Sequence, residues 1–353
     1  RACCTLCFFL FVGLQLSSIA RMPSCLELGG KMSKELNCIA RISNLFAPES
    51  IDNDTITKGE LKFTTDNIYG QPRITNNRIV FMVLSARNHS ERRDAIRETW
   101  AEKADNVYFV LGQECPYPPN QRSHCLRCEV NETLRAPNST YEILMLAEHN
   151  GLVAEQQHHH DLLFTPEADE YQRLPHKLKY ALDFAVNGLP KVRWIIKADD
   201  DMFIRIKPTQ QFLGTVWSDR PILIGGVWWD HDVQHRGKWA EYPEYNYPVY
   251  PPFPRGSQGY AVNRLIAEYV SAHKQDLFEY QGEDVSLGIW LDDSPRMRRS
   301  VLFRTSDRFV QNQDCANSSH LVIGHNLSPQ MMRACSKTPV AEKTKTVAKK
   351  AKT

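Results

Sequence analysis

The feature that most constrains this chain is an alternation that begins at residue 78. RIVFMVLSA (78–86) is a continuous apolar run, the pattern of a strand buried on both faces. The period then changes. In SERRDAIRETWAEKA (90–104), Ala95, Ile96, Thr99 and Trp100 share one helical face, with Ser90 as the expected N-cap. NVYFVLG (106–112), HDLLF (160–164), VRWIIKA (192–198) and PILIGGVWW (221–229) read as further strands. Between them, Ser139-Thr140-Tyr141-Glu142 forms a capping box for a helix that Gly151 is expected to close. Pro175 opens another helix, with Leu178, Ala181, Leu182 and Ala185 at core spacing and Gly188 as the stop. Strands alternating with helices predict an α/β fold, a mainly parallel sheet with helices on both faces. In such sheets the ligand crevice lies beyond the carboxyl ends of the strands.

One acidic group falls where that rule says to look, and a second stands ahead of a later helix. Asp199-Asp200-Asp201 stands where the fourth strand runs out. In extended chain, Asp199 and Asp201 project to one side and Asp200 to the other. Two converging carboxylates repel unless a cation lies between them, and hard cations such as Mg²⁺ or Mn²⁺ take oxygen ligands. A solvated acidic turn is the bland alternative. Asp284, in GEDV ahead of the apolar run SLGIWL, is placed in the first turn of a helix. There the amides and dipole favour the anion, which suits a proton acceptor; simple capping would explain it too. Arg93 and Arg97 are one helical turn apart and able to face one anion jointly, or to form a solvated basic face.

Charge narrows the class. The chain has 43 basic and 41 acidic residues, and five of its lysines sit in the terminal KTKTVAKKAKT. Its body is therefore slightly negative, which argues against a nucleic-acid partner. Residues 2–20 carry no charge and fit either a signal anchor or a cleaved signal peptide. Cysteines spread over the polar chain and six Asn-x-Ser/Thr sequons favour an oxidising, secretory setting. There Cys115 is expected to pair with Cys125 or Cys128 rather than to hold zinc with His124. The histidine tract 158–160 is read as incidental, because neighbouring residues in a strand point apart.

Several motifs in order then resemble the β1,3-galactosyltransferase (β3-hexosyltransferase) family of Golgi glycosyltransferases. They are ERRDAIRETW (91–100), Tyr171…Leu174…Lys177, KADDDMF (197–203), RGKWAEYPEYNYPVYPPF (236–253), GYAV (259–262), YQGEDVSLGIWL (280–291) and HNLSPQMM (325–332). The stretch around Gly237-Lys238-Trp239 and YQGEDVSLGIW are similar to the N-acetylgalactosaminyl-transferring branch. Residues 256–259 depart from the family's small-residue turn by the bulkier Gln258, and Arg173 and Pro175 depart from it before Lys177.

The resemblance implies a GT-A-like single catalytic domain at 77–338, behind an uncleaved anchor (1–21) and stem (22–76), with a basic tail (339–353). It implies a single-pass type II protein of the Golgi membrane with a lumenal catalytic domain. The implied reaction is inverting, metal-dependent transfer of a hexose from a UDP-sugar donor to the 3-hydroxyl of an acceptor glycan on glycoprotein, glycolipid or proteoglycan. Galactose is favoured, with N-acetylhexosamine the other candidate. Asp199, Asp201 and His325 match the metal ligands, for Mn²⁺ or Mg²⁺, and Asp284 matches the catalytic base. Arg93, Arg97, Lys197, Asp199 and Asp200 match nucleotide-side positions, while Trp228, Trp229 and Trp239 fall in the region that shapes the sugar or acceptor site. A glycan on Asn88 would crowd that nucleotide pocket, so Asn88 is expected to be unmodified. An inactive lectin-like or chaperone-like relative is the alternative, and the complete set of Asp199, Asp201, Asp284 and His325 argues against it.

Overall fold

A computed structural model describes residues 70–114, 122–123, 127–130, 139–216 and 219–339. The chain divides into two compact units, 1–67 with 115–145, and 68–114 with 146–353. Of the first, the described part includes an antiparallel hairpin whose strands are Arg122–Ser123 and Arg127–Val130.

The second unit is organised by a seven-stranded sheet. Its strands are β1 (Ile79–Leu84), β2 (Val107–Gln113), β3 (Leu162–Ala168), β4 (Trp194–Asp199), β5 (Ile222–Gly225), β6 (Tyr260–Asn263) and β7 (Leu302–Thr305). The spatial order is β7-β5-β6-β4-β1-β2-β3. Every neighbouring pair is parallel except the two made by β6, which runs antiparallel to β4 and β5. All five expected strands lie in this sheet, and the α/β class with a mainly parallel sheet is what forms. The two additional strands, β6 and β7, gave no sequence signal: they are four residues each, and β7 is largely exposed.

Both faces of the sheet are covered. Helix α1 (Ser90–Glu98) and the residues after it lay Ala95, Ile96 and Trp100 against Phe81, Val83, Phe109 and Ile196. On the opposite face, helix α3 (Leu174–Asn187) buries Leu178, Ala181, Leu182 and Ala185, and its Phe184 ring meets Tyr108 edge-on at 5.3 Å. Each of the larger side chains among these contributes about 1.5–3 kcal/mol by leaving water. Two details differ from expectation. The N-cap of α1 is His89, not Ser90. Helix α2 (Ser139–His159) also runs through Gly151, which has ordinary backbone angles and empty space where a side chain would go. Gly188 does cap α3.

A smaller sheet flanks the end of β4. Strand β8 (Phe203–Ile204) pairs antiparallel with β9 (Val322–Gly324), which pairs parallel with β10 (Phe309–Gln311). Helix α4 (Pro329–Lys337) follows β9, and a Cys315–Cys335 disulfide joins the loop after β10 to that helix. Helix α5 (Glu283–Asp293) packs so closely on strand Phe253–Pro254 that a side chain at Gly288 would lie 2.5 Å from Phe253 Cβ.

The expected Golgi membrane location, with a single type II span, is corrected here. No helix among the described residues is long and apolar enough to cross a membrane. Residues 2–20, on which the anchor rested, lie outside the described residues, as do most of the stem, nearly all of the tail, Cys115, Cys125 and Cys128.

Candidate metal and donor site

Strand β4 puts Trp194, Ile196 and Ala198 into the core on one face and Lys197 and Asp199 on the other. It stops at Asp199; Asp200 and Asp201 form a turn. Strand alternation therefore does not bring Asp201 across, and the loop after β9 does. Leu327 N–H donates to the Asp201 carbonyl at 3.0 Å and Asn326 N–H to Asp201 Oδ2 at 3.1 Å. This mooring sets His325 Nδ1 3.3 Å from Asp201 Oδ2. One ligand atom from each of Asp199, Asp201 and His325 lies within 4.8 Å of the others.

The state of these atoms tests whether a cation fits. Asp201 Oδ1 and His325 Nδ1 are buried without a hydrogen-bond partner, an arrangement that costs about 1–3 kcal/mol per group when nothing satisfies it. Two carboxylates and an imidazole suit Mn²⁺ or Mg²⁺, whose remaining positions take water or phosphate oxygen.

Asp200 turns the other way. It accepts hydrogen bonds from Ser85 Oγ and Arg92 Nη1, each at 2.8 Å, and pairs with His89 Nδ1 at 2.8 Å. Burial would raise its pKa, but His89, Arg92 and Ser85 hold it below the usual carboxylate range. Asp200 thus bolts the turn after β4 to the start of α1.

Lys197 joins two acidic groups. Its side chain is 2% exposed, with Nζ 2.8 Å from Asp199 Oδ1 and 2.6 Å from Glu283 Oε1. Burial acts to discharge it, but the two carboxylates outweigh burial and raise its pKa above the usual lysine range. Glu283 was missed in the sequence. The available signal was a lysine inside an apolar strand, which demands a buried partner.

Asp284 is the next residue, in the first turn of α5. Gly256 N–H donates to its Oδ2 at 2.9 Å and Val285 N–H to its Oδ1 at 2.8 Å. The helix terminus was expected to favour the anion. Burial and the neighbouring Glu283 charge oppose it, and they push the carboxyl up to about 6 against the Gly256 N–H and Lys197. A carboxylate titrating there is ionised at neutral pH and still basic enough to take a proton.

Arg93 and Arg97 do not join this cluster. Both guanidinium groups converge on Glu155: Arg93 bidentately at 2.7 and 2.8 Å, Arg97 at 2.6 Å. Arg97 also grips Asp161 at 2.9 and 2.8 Å. Arg93 is fully buried and donates to the carbonyls of Ala86 and Arg87. Trp228, Trp229 and Trp239 are 38%, 53% and 52% exposed. Asn88 is exposed beside His89.

Comparison with known proteins gives a consistent picture. Residues 148–298 match the galactosyltransferase family model. A hydroxyproline O-galactosyltransferase of Arabidopsis thaliana is 29% identical over 249 residues, 66% of this chain and 31% of that protein. A UDP-GalNAc:β-1,3-N-acetylgalactosaminyltransferase of Danio rerio is 32% identical over 155 residues, 42% of this chain and 30% of that protein. The chain thus spans less than a third of the length of these relatives. A solved glycosyltransferase, involved in glycosylation of the PBCV-1 major capsid, overlaps loosely. Its TM-score is 0.32 at 12% identity, covering 72% of this chain and 98% of that one.

Proposed function

Given a galactosyltransferase-family domain at residues 148–298, we propose that this chain transfers galactose or N-acetylgalactosamine from a UDP-sugar to the 3-hydroxyl of an acceptor glycan, with inversion. The observation that carries the reading is the convergence of Asp199, Asp201 and His325 at the end of β4. Asp284 lies across the Lys197–Glu283 pair from Asp199. The catalytic domain would occupy 77–338.

A divalent cation held by Asp199, Asp201 and His325 would supply Lewis-acid neutralisation of the diphosphate leaving group. The other work falls to the chain itself. Asp284 accepts the proton of the acceptor hydroxyl as that oxygen forms its bond to the anomeric carbon. The bond from that carbon to the UDP oxygen breaks on the opposite face, so an α-linked donor gives a β product. Gly256 N–H and Val285 N–H hold the Asp284 carboxylate in place. Lys197 keeps Asp199 and Glu283 from repelling each other. Arg93 and Arg97 brace α1 against α2 through Glu155.

The test is a panel of UDP-sugars and acceptors with purified protein and Mn²⁺, reading released UDP and the anomeric configuration of the product by NMR. UDP release with a β-linked product is expected. No turnover with any donor, alongside retained acceptor binding, would identify a lectin-like protein instead.

A further inference from the structure

Beside the base lies a cation with no anion. Arg255 precedes Gly256, whose N–H holds Asp284. Its guanidinium carbon stacks 3.7 Å from the centre of the Trp228 ring, a face-to-face distance that fixes the group in position. Arg255 Nε is buried without a hydrogen-bond partner. No carboxylate among the described residues lies within 4.0 Å of its nitrogens. Arg93 and Arg97, by contrast, each hold a carboxylate. The placement is built by the fold. Arg255 N–H donates to the Gly226 carbonyl at 2.8 Å, and strand Phe253–Pro254 pairs antiparallel with Val227–Trp228. Gly226 leaves room for the Gln258 side chain and the Arg255 stem, since a side chain there would come 1.7 Å from Gln258 Oε1 and 3.3 Å from Arg255 Cδ.

A rigid guanidinium fork with free donors is suited to a planar or tetrahedral oxyanion. Its position decides which one. Gly256 links the two sides of the site, giving its N–H to Asp284 and accepting from Lys197 through its carbonyl at 3.3 Å. The Arg255 backbone adjoins the Gly256 N–H that holds Asp284, the side on which the proposed acceptor hydroxyl approaches, and Asp199 lies beyond Lys197. Trp228, 38% exposed, adds an aromatic surface against which a sugar ring can lie. Resting on the transferase reading above, we propose that Arg255, stacked on Trp228, binds an acidic group of the acceptor, so that the preferred acceptor carries a carboxylate sugar or an equivalent oxyanion near the reacting hydroxyl.

The test compares a neutral hexoside acceptor with its uronic acid counterpart, in which the C6 hydroxymethyl is a carboxylate, using wild type, Arg255→Gln and Arg255→Lys. Wild type is expected to prefer the acid. Arg255→Gln should cut the acid-to-neutral ratio of kcat/KM about ten- to hundredfold, the worth of a charge-assisted hydrogen bond, mainly through acceptor KM. Arg255→Lys should restore part of it. Equal loss with both acceptors, or no acid preference in wild type, would overturn the proposal. So would weaker UDP binding in Arg255→Gln by calorimetry, which would assign the group to the donor diphosphate. If neither acceptor releases UDP, the transferase reading fails by itself. Saturation-transfer NMR of the uronic acid then decides the subsite: a signal lost in Arg255→Gln supports it, and an unchanged or absent signal refutes it.

Discussion

Two clusters of charge touch α1, through Arg92 and through Arg93 and Arg97, and they are finished to different degrees. Around Glu155, Arg93 and Arg97 are fully engaged, with a bidentate pair, a second guanidinium and Asp161 closing the set. Burial would raise the Glu155 pKa, but the two arginines hold it below the usual range. At the end of β4, the charges are only half matched: Asp199 has Lys197, while, among the described residues, Asp201 Oδ1 has no hydrogen-bond partner and His325 Nδ1 meets only Asp201 Oδ2, at 3.3 Å. A buried charge that serves only the fold is completed by the fold. One left incomplete at a strand end implies a ligand that completes it. On the proposed reading, the difference separates charges that brace from charges that react, although the two arginines and the Asp triplet look equally functional in the sequence.

The largest effect that could break this distinction is at the base. Asp284→Asn should lower kcat about 10²- to 10⁴-fold with UDP affinity retained, measured by UDP release and calorimetry; full activity would remove Asp284 from the reaction. Next comes the bracing cluster. Glu155→Ala leaves fully buried Arg93 without its carboxylate and should cost about 3–5 kcal/mol of stability. Denaturant unfolding measures that, and the variant that remains folded should keep its acceptor KM. If Glu155→Ala instead abolished donor binding without loss of stability, the two clusters would have exchanged roles. A smaller effect comes from pH. The Asp284 carboxyl, pushed up to about 6, must be deprotonated to act, so kcat should be flat above its pKa. Each pH unit below it should cost about tenfold, or ~1.4 kcal/mol. The smallest lies on the helix that carries Glu155. Gly151 is exposed in mid-helix with open space around it, so Gly151→Ala should stabilise by about 0.5–1 kcal/mol, seen as a small rise in Tm without change in turnover.

Much of the sheet was legible because strands buried on both faces must be apolar throughout, as IVFMVL in β1 is. Strand β7 escaped because its LFRT is an edge that needs no such pattern. The meeting of Asp199 with Asp201 was anticipated from strand alternation. It is made by a turn and by backbone bonds from residues 326 and 327, contacts that no local pattern encodes. Glu283 and Arg93 were misjudged or missed for one reason: their partners, Lys197 and Glu155, lie far along the chain, and sequence shows a charge without showing what faces it. Gly151 misled because one glycine in a helix interior costs only about 1 kcal/mol, too little to end a 21-residue helix.

The Cys315–Cys335 disulfide has a sequence separation of 20, and His325 stands midway in the ring it closes. Asp199 and Asp201 come from the end and following turn of a central strand, whereas the imidazole comes from a covalently cyclised segment. Closing a ring of that length removes roughly 3 kcal/mol of chain entropy from the unfolded state, and the backbone bonds to Asp201 clip the ring beside the turn. The imidazole is therefore held by a bond whose survival depends on the oxidising strength of its surroundings. On the proposed reading, the thiol chemistry of the compartment becomes, through this ring, a condition on the chain's grip on a cation.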